Sequence, residues 1–129
     1  MSLNVLIVDD SAVMRRMISK SIRMSKIPIK ELHEAATGKE GLEVLDKNWI
    51  DLVLTDLNMP EMNGEEMIEE IKKIPELADV PIIVISTEGS ERRIERILKK
   101  GVSFIHKPFT PEKFNQVINS VVEGINELE

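Results

Sequence analysis

The chain has no cysteine and no tyrosine, and only one tryptophan, three phenylalanines and two histidines among its 129 residues. Without cysteine there is no disulfide scaffold, no thiolate metal site and no cysteine nucleophile, a composition that fits a reducing compartment. Basic residues are outnumbered: 17 Lys and Arg stand against 23 Asp and Glu, a formal net charge of -6. A field of that sign repels polyanions, so nucleic acid is not expected as a partner. Uninterrupted apolar runs such as 5–8 and 82–85 fall far short of the ~20 residues that span a bilayer, and no membrane association is expected. Neither a signal-peptide pattern nor the glycine-rich loops that cradle nucleotide phosphates occur.

What is present is ordinary for a globular protein: 42% hydrophobic and 31% charged residues, enough to build one sizeable core. One domain over 1–129 is expected. The last helical pattern runs almost to Glu129, so no attached output module is expected and any output should pass through a separate partner.

Short runs rich in Val, Ile and Leu recur at 5–8, 52–54 and 82–85, unbroken and without polar alternation. Strands of this kind are buried on both faces. Shorter strands are expected over 29–35 and 104–106. Between the strands lie helical stripes, the clearest being Phe114, Val117, Ile118, Val121, Val122 and Ile125. Met14, Met17, Ile18 and Ile22 follow similar spacing, and the methionines at 14, 17 and 24 are expected in the core, the first two on that spacing. Thr37 with Glu40 and Asn63 with Glu66 have the spacing of capping boxes, and Thr110 before Pro111 reads as an N-cap with proline at N1. Strand and helix thus alternate five times, the pattern of a doubly wound α/β fold: a parallel sheet between two layers of helices, a (βα)5 three-layer sandwich.

Polar residues gather where the strands end: Asp9 and Asp10 after the first, Asp56 after the third, Ser86 after the fourth and Lys107 after the fifth. In open α/β sheets the ligand crevice lies beyond those carboxyl ends, at the topological switch point. Three carboxylates sharing such a crevice repel one another unless a cation is present. With no cysteine and no histidine pair, the donor set is all oxygen and suits a hard divalent ion such as Mg²⁺. Asp56 ends a buried strand at a turn, where a carboxylate can serve as a nucleophile, and Lys107 can pair with a phosphoryl oxygen as a point charge.

Asp9-Asp10, Asp56-Leu57-Asn58-Met59-Pro60, Ser86 and Lys107-Pro108-Phe109, in this order and spacing, resemble the motif set of bacterial two-component response-regulator receiver domains of the single-domain chemotaxis type. The resemblance covers the chain and implies a flavodoxin-like sheet in order 2-1-3-4-5. It implies that Asp56 accepts a phosphoryl group from a sensor histidine kinase or a histidine phosphotransfer protein. By the same resemblance Mg²⁺ would be held by Asp10, Asp56 and the backbone carbonyl of Asn58, with Asp9 acting through a metal-bound water. Lys107 would pair with Asp56 before transfer and with the phosphoryl group afterwards. Ser86 would move toward that group while Phe104 turns inward, a two-position switch. Phe104 stands where the best-known chemotaxis members carry tyrosine, so it has no hydroxyl to offer a partner.

Asn58 and Glu88 occupy the positions implied to tune the lifetime of the phosphorylated state, which is expected to be short, and the Lys107–Pro108 bond is expected to be cis. The resemblance further implies a cytoplasmic signalling protein, not an enzyme acting on an external substrate, that assists its own phosphorylation and dephosphorylation. Its downstream target would read a face of helix 4, strand 5 and helix 5, and the protein would be a monomer or a phosphorylation-dependent dimer. Arg15, Arg16, Lys20, Arg23 and Lys26 make the first helix basic, and 91–100 carries five basic residues against two acidic. The first helix would help to dock the phosphodonor; the bland alternative for both stretches is a solvated face. His33 and His106 are read as surface residues without a ligand role.

Three other readings compete. A phosphorylation-independent interaction domain usually lacks part of the acidic pocket, which is whole here. An aspartyl-nucleophile phosphatase needs an acid two residues past its nucleophile, where this chain has Asn58. A flavodoxin-like cofactor binder would meet the repulsion of Asp9 and Asp10 where it needs a phosphate-cradling loop.

Overall fold

A computed structural model of the protein describes residues 2–127. Strand and helix alternate through β1 (Leu3–Val8), α1 (Ala12–Met24), β2 (Ile29–Ala35), α2 (Gly38–Lys47), β3 (Leu52–Thr55), α3 (Gly64–Lys73), β4 (Ile82–Ser86), α4 (Glu91–Leu98), β5 (Ser103–His106) and α5 (Pro111–Glu127). The strands form one sheet in the order β2-β1-β3-β4-β5, and every pairing is parallel. This is the expected doubly wound topology and order.

The apolar runs form strands because each residue finds a core on whichever face it meets. Successive side chains alternate across the sheet. Leu6, Val8, Val53, Ile82 and Val84 enter one core with Leu45 of α2, Met67, Ile68 and Ile71 of α3 and Ile97 of α4. Val5, Ile7, Leu52, Leu54, Ile83, Ile85 and Ile105 enter the other, with Ile18 and Ile22 of α1 and Phe114 and Ile118 of α5. Fully burying one such aliphatic side chain contributes ~1.5–3 kcal/mol, which offsets the ordering of a strand with no polar face. β2 lies at the sheet edge, so only Ala35 of its seven residues is fully buried.

Side-chain caps set the helix starts. Ser11, Thr37 and Ser90 accept the third backbone N–H of α1, α2 and α4, and Thr110 Oγ1 accepts that of Lys113. Asn63 and Glu66 close a full capping box on α3. At α2 the Glu40 carboxylate instead accepts the N–H of Ala36, one residue before the cap. One expectation fails. Met17 and Met24 are 50% and 70% exposed, because α1 turns Ile18 and Ile22 inward and leaves these methionines on its flank, while Met14 packs at the core margin.

The chain leaves β1 for β2 on one side and returns to β3 on the other, so β1 and β3 are neighbours whose connections diverge. A crevice opens beyond their carboxyl ends.

Candidate functional site

Asp9 and Asp10 follow β1 and Asp56 follows β3, and the parallel register that pairs Val8 with Thr55 carries all three to one end of the sheet. Backbone bonds hold them there: Asp9 N–H to Ala35 O at 3.0 Å and Asp56 N–H to Val8 O at 2.9 Å. The three side chains each offer a carboxylate oxygen, and these oxygens lie within 4.8 Å of one another. Asp9 is buried at 1% exposure, Asp56 is half-buried and Asp10 exposed.

Lys107 reaches into this cluster from the end of β5, placed by its N–H bond to Ser86 O at 2.9 Å. Its ammonium lies 3.1 Å from Asp9 Oδ2 and 3.6 Å from Asp56 Oδ2. The lysine therefore sits nearer Asp9 than Asp56, the partner expected from the sequence. Asp9 Oδ1 accepts the Ser11 N–H at 2.9 Å, so both its oxygens are engaged. Behind it, Arg15 donates to the Asp9 carbonyl at 2.7 Å and to Glu34 at 2.8 Å, which ties one of the basic residues of α1 to the floor of the site.

Asp56 Oδ1 accepts the Leu57 N–H at 2.7 Å. Burial holds the Asp56 carboxyl above its ordinary 3.8; the Lys107 ammonium and the Leu57 N–H oppose that rise, while the Asp9 charge adds to it. Close-set acids with one ammonium among them leave room for more positive charge. An all-oxygen donor set of this kind fits a hard divalent cation.

Ser86 is the last residue of β4 and fully buried. Its hydroxyl oxygen accepts the Glu88 N–H at 3.1 Å, so it is engaged with its own loop and not with Asp56. Phe104 lies on β5 opposite Val84, half-buried against the core under α4, with its ring centroid 5.3 Å from that of His106. His106 is exposed, and His33 on β2 bonds Glu31 at 3.1 Å. The Lys107–Pro108 bond is cis.

Two residues that sequence reasoning missed complete the surroundings. Gly64 opens α3 directly behind Asp56, and a Cβ there would stand 2.1 Å from the Asp56 carbonyl oxygen; the Asn63-Gly64 pair was legible as a helix start but not as a close approach. Arg93 of α4 donates to Asn58 Oδ1 at 3.1 Å and pairs with Glu88. In the sequence it was one charge in a basic stretch.

A five-stranded parallel sheet with converging carboxylates, a lysine and a buried hydroxyl at its carboxyl edge defines a class, and the comparisons agree on it. The family model for the response regulator receiver domain matches residues 5–119, and the chain belongs to that family of signalling proteins. Within it the chain is similar to chemotaxis proteins. The chemotaxis protein CheY1 of Helicobacter pylori is 39% identical over 127 residues, 97% of this chain and 100% of the relative. A CheY homolog of Campylobacter jejuni is 36% identical over 122 residues, 93% of this chain and 92% of its own. Among solved structures, the chemotaxis response regulator CheY4 of Vibrio cholerae superposes with a TM-score of 0.82 at 30% identity, covering 94% of this chain and 99% of that one. Among the described residues no helix is long and apolar enough to cross a membrane.

Proposed function

We propose that Asp56 is the phosphoacceptor of a two-component phosphorelay, taking its phosphoryl group from a phosphohistidine on a sensor histidine kinase or a histidine phosphotransfer protein. The observation that carries this reading is the gathering of Asp9, Asp10 and Asp56 within 4.8 Å around the Lys107 ammonium. A carboxylate oxygen of Asp56 attacks phosphorus, the phosphorus–nitrogen bond breaks, and its electron pair leaves with the imidazole. Asp10, Asp56 and the Asn58 carbonyl are the groups that would hold Mg²⁺, with Asp9 reaching it through water; the ion supplies charge neutralisation to the phosphoryl oxygens. Lys107 contributes a second cation, poised between Asp9 and Asp56 and able to follow the charge as it moves to the phosphoryl group.

Ser86 is the hydroxyl that bonds the transferred group. Its oxygen accepts the Glu88 N–H and its O–H is the donor that would turn to the phosphoryl group; Phe104, one strand over, is the ring whose packing follows. α4, β5 and α5 carry the face that a downstream protein reads. The phosphodonor docks across α1, where Met14 and Met17 line an apolar pocket with Thr87, Pro108, Phe109 and Lys107 itself. Asn58 is an amide whose oxygen faces Arg93, so no general acid stands two residues past Asp56. That supports a switch that turns over its own phosphate and not an enzyme for external esters. Its place is the cytoplasm, as a monomer or a phosphorylation-dependent dimer.

The test is incubation with a small acyl phosphate and Mg²⁺ followed by intact-mass measurement, beside Asp56→Asn and a chelator control. A gain of one phosphoryl mass that requires both Asp56 and Mg²⁺ is the expected result. A protein that refuses both the acyl phosphate and a phosphohistidine donor would overturn the reading.

A further inference from the structure

Arg93 sits in the first turn of α4, where its own N–H is capped by the Ser90 hydroxyl at 3.3 Å. From there its guanidinium spans two loops that flank Asp56. One nitrogen, Nη1, donates both to Asn58 Oδ1 at 3.1 Å and to the Glu88 carboxylate. The far oxygen of Glu88 accepts the Ser90 N–H at 3.0 Å, which fastens the carboxylate to the start of α4. Glu88 is thereby held below the ordinary glutamate range, first by the Ser90 N–H and then by Arg93. Arg93 is only 22% exposed and Glu88 16%. Its Nε also faces Glu65 of α3 at 3.9 Å, and Glu65 in turn takes Arg96 with two bonds of 2.6 and 2.9 Å. The side chain is thus gripped from both helices instead of waving in solvent.

The geometry points to Arg93 as a positioning residue that straps Asn58 to Glu88 beside Asp56 and slows the approach of water to the phosphorylated carboxylate. This rests on the reading of Asp56 as phosphoacceptor. In the step it controls, a water oxygen attacks phosphorus and the bond between phosphorus and the Asp56 oxygen breaks. The Asp56 carboxylate is regenerated, inorganic phosphate carrying the water's oxygen is released, and the water's proton passes to solvent. Arg93 opposes that step in two ways. It occupies the space between two loops that must part to admit water, and it engages the Glu88 carboxylate, which, once free, could accept a hydrogen bond from the attacking water and orient it.

The experiment loads wild type and Arg93→Met with a small acyl phosphate and Mg²⁺, removes the donor, and follows loss of phosphoryl mass with time. Decay at least about threefold faster in Arg93→Met, a difference of ~0.7 kcal/mol in barrier, is the expected result. The same substitution is then made on an Asn58→Ala/Glu88→Ala background, where it should no longer change the rate, because the groups it acts through are gone. Equal decay of wild type and Arg93→Met would overturn the strap. So would an acceleration that persists on the double background, which would mean a general loosening of α4. A wild-type protein that gains no phosphoryl mass from either the acyl phosphate or a phosphohistidine donor fails at the loading step, and that outcome removes the phosphoacceptor reading and the strap together.

Discussion

Asp56 is held in an environment that favours its neutral form. Burial raises its pKa, and Lys107, Leu57 and the Asn58 backbone N–H only partly oppose the rise. A carboxyl raised in this way stabilises the fold fully below its unfolded value of 3.8, and that contribution is lost as pH climbs through the folded value. In metal-free buffer at neutral pH, Asp56→Asn should therefore melt higher than wild type, and each ~1 kcal/mol gained is worth about 4 °C in a domain of this size. The gap should close as pH is lowered through the raised value, where both side chains are neutral; thermal melts across pH check both halves. Lys107→Met should act in the opposite sense. It strips the cation from Asp9, which is buried at 1% exposure, and losing one partner of a buried pair costs ~3 kcal/mol. Denaturant unfolding in the absence of metal should show that loss, and added Mg²⁺ should shrink it by supplying another cation.

At the scale of elements, the site depends on how closely α3 starts behind β3. Gly64 donates its N–H to Leu57 O at 2.8 Å, and a side chain there would strike the backbone of Asp56, which cannot yield without moving the carboxylate. Gly64→Ala should destabilise the protein by ~1–3 kcal/mol, the usual range of overpacking in a dense core, and should slow phosphorylation of Asp56 in the fraction that folds. Unfolding curves and intact-mass time courses separate the two effects. The strands that frame this site were readable because short unbroken runs rich in Val, Ile and Leu are too short for a buried helix and fit a strand covered on both faces, as in β1, β3 and β4. The carboxyl ends of those strands and of β5 then located Asp9, Asp10, Asp56, Ser86 and Lys107 without knowledge of any contact. Met17 misled because helical spacing fixes a stripe but not how wide the covered part of it is, and Met24 lies outside that stripe, at the last turn of α1. Gly64 and Arg93 were invisible for a different reason. Their roles exist only between elements, and Arg93 meets Asn58 across 35 positions of chain, a distance over which composition and periodicity carry no information.

Across the whole molecule, carboxylates pull acid stability in two directions. Glu65, lowered from 4.5 chiefly by its bond to Arg96, contributes stability that is present above 4.5 and lost as pH falls through its folded value. Glu88, lowered by the Ser90 N–H and by Arg93, has the same sign. Asp56 has the opposite one. The bonds from α4 to Glu65 and Glu88 are therefore contacts that acid weakens, while burial of the Asp56 carboxylate is a cost that acid relieves. Mg²⁺ held by these carboxylates would invert the second effect, because it would bind their deprotonated form and favour the folded state, by about 2.7 kcal/mol at a hundredfold excess over its dissociation constant. Melting temperature should thus rise with Mg²⁺ at neutral pH, the rise should shrink as pH falls through the raised Asp56 value, and Asp56→Asn should blunt it throughout. A Mg²⁺-dependent shift of the same size at both pH extremes, or one that Asp56→Asn leaves intact, would place the cation elsewhere than among Asp9, Asp10 and Asp56.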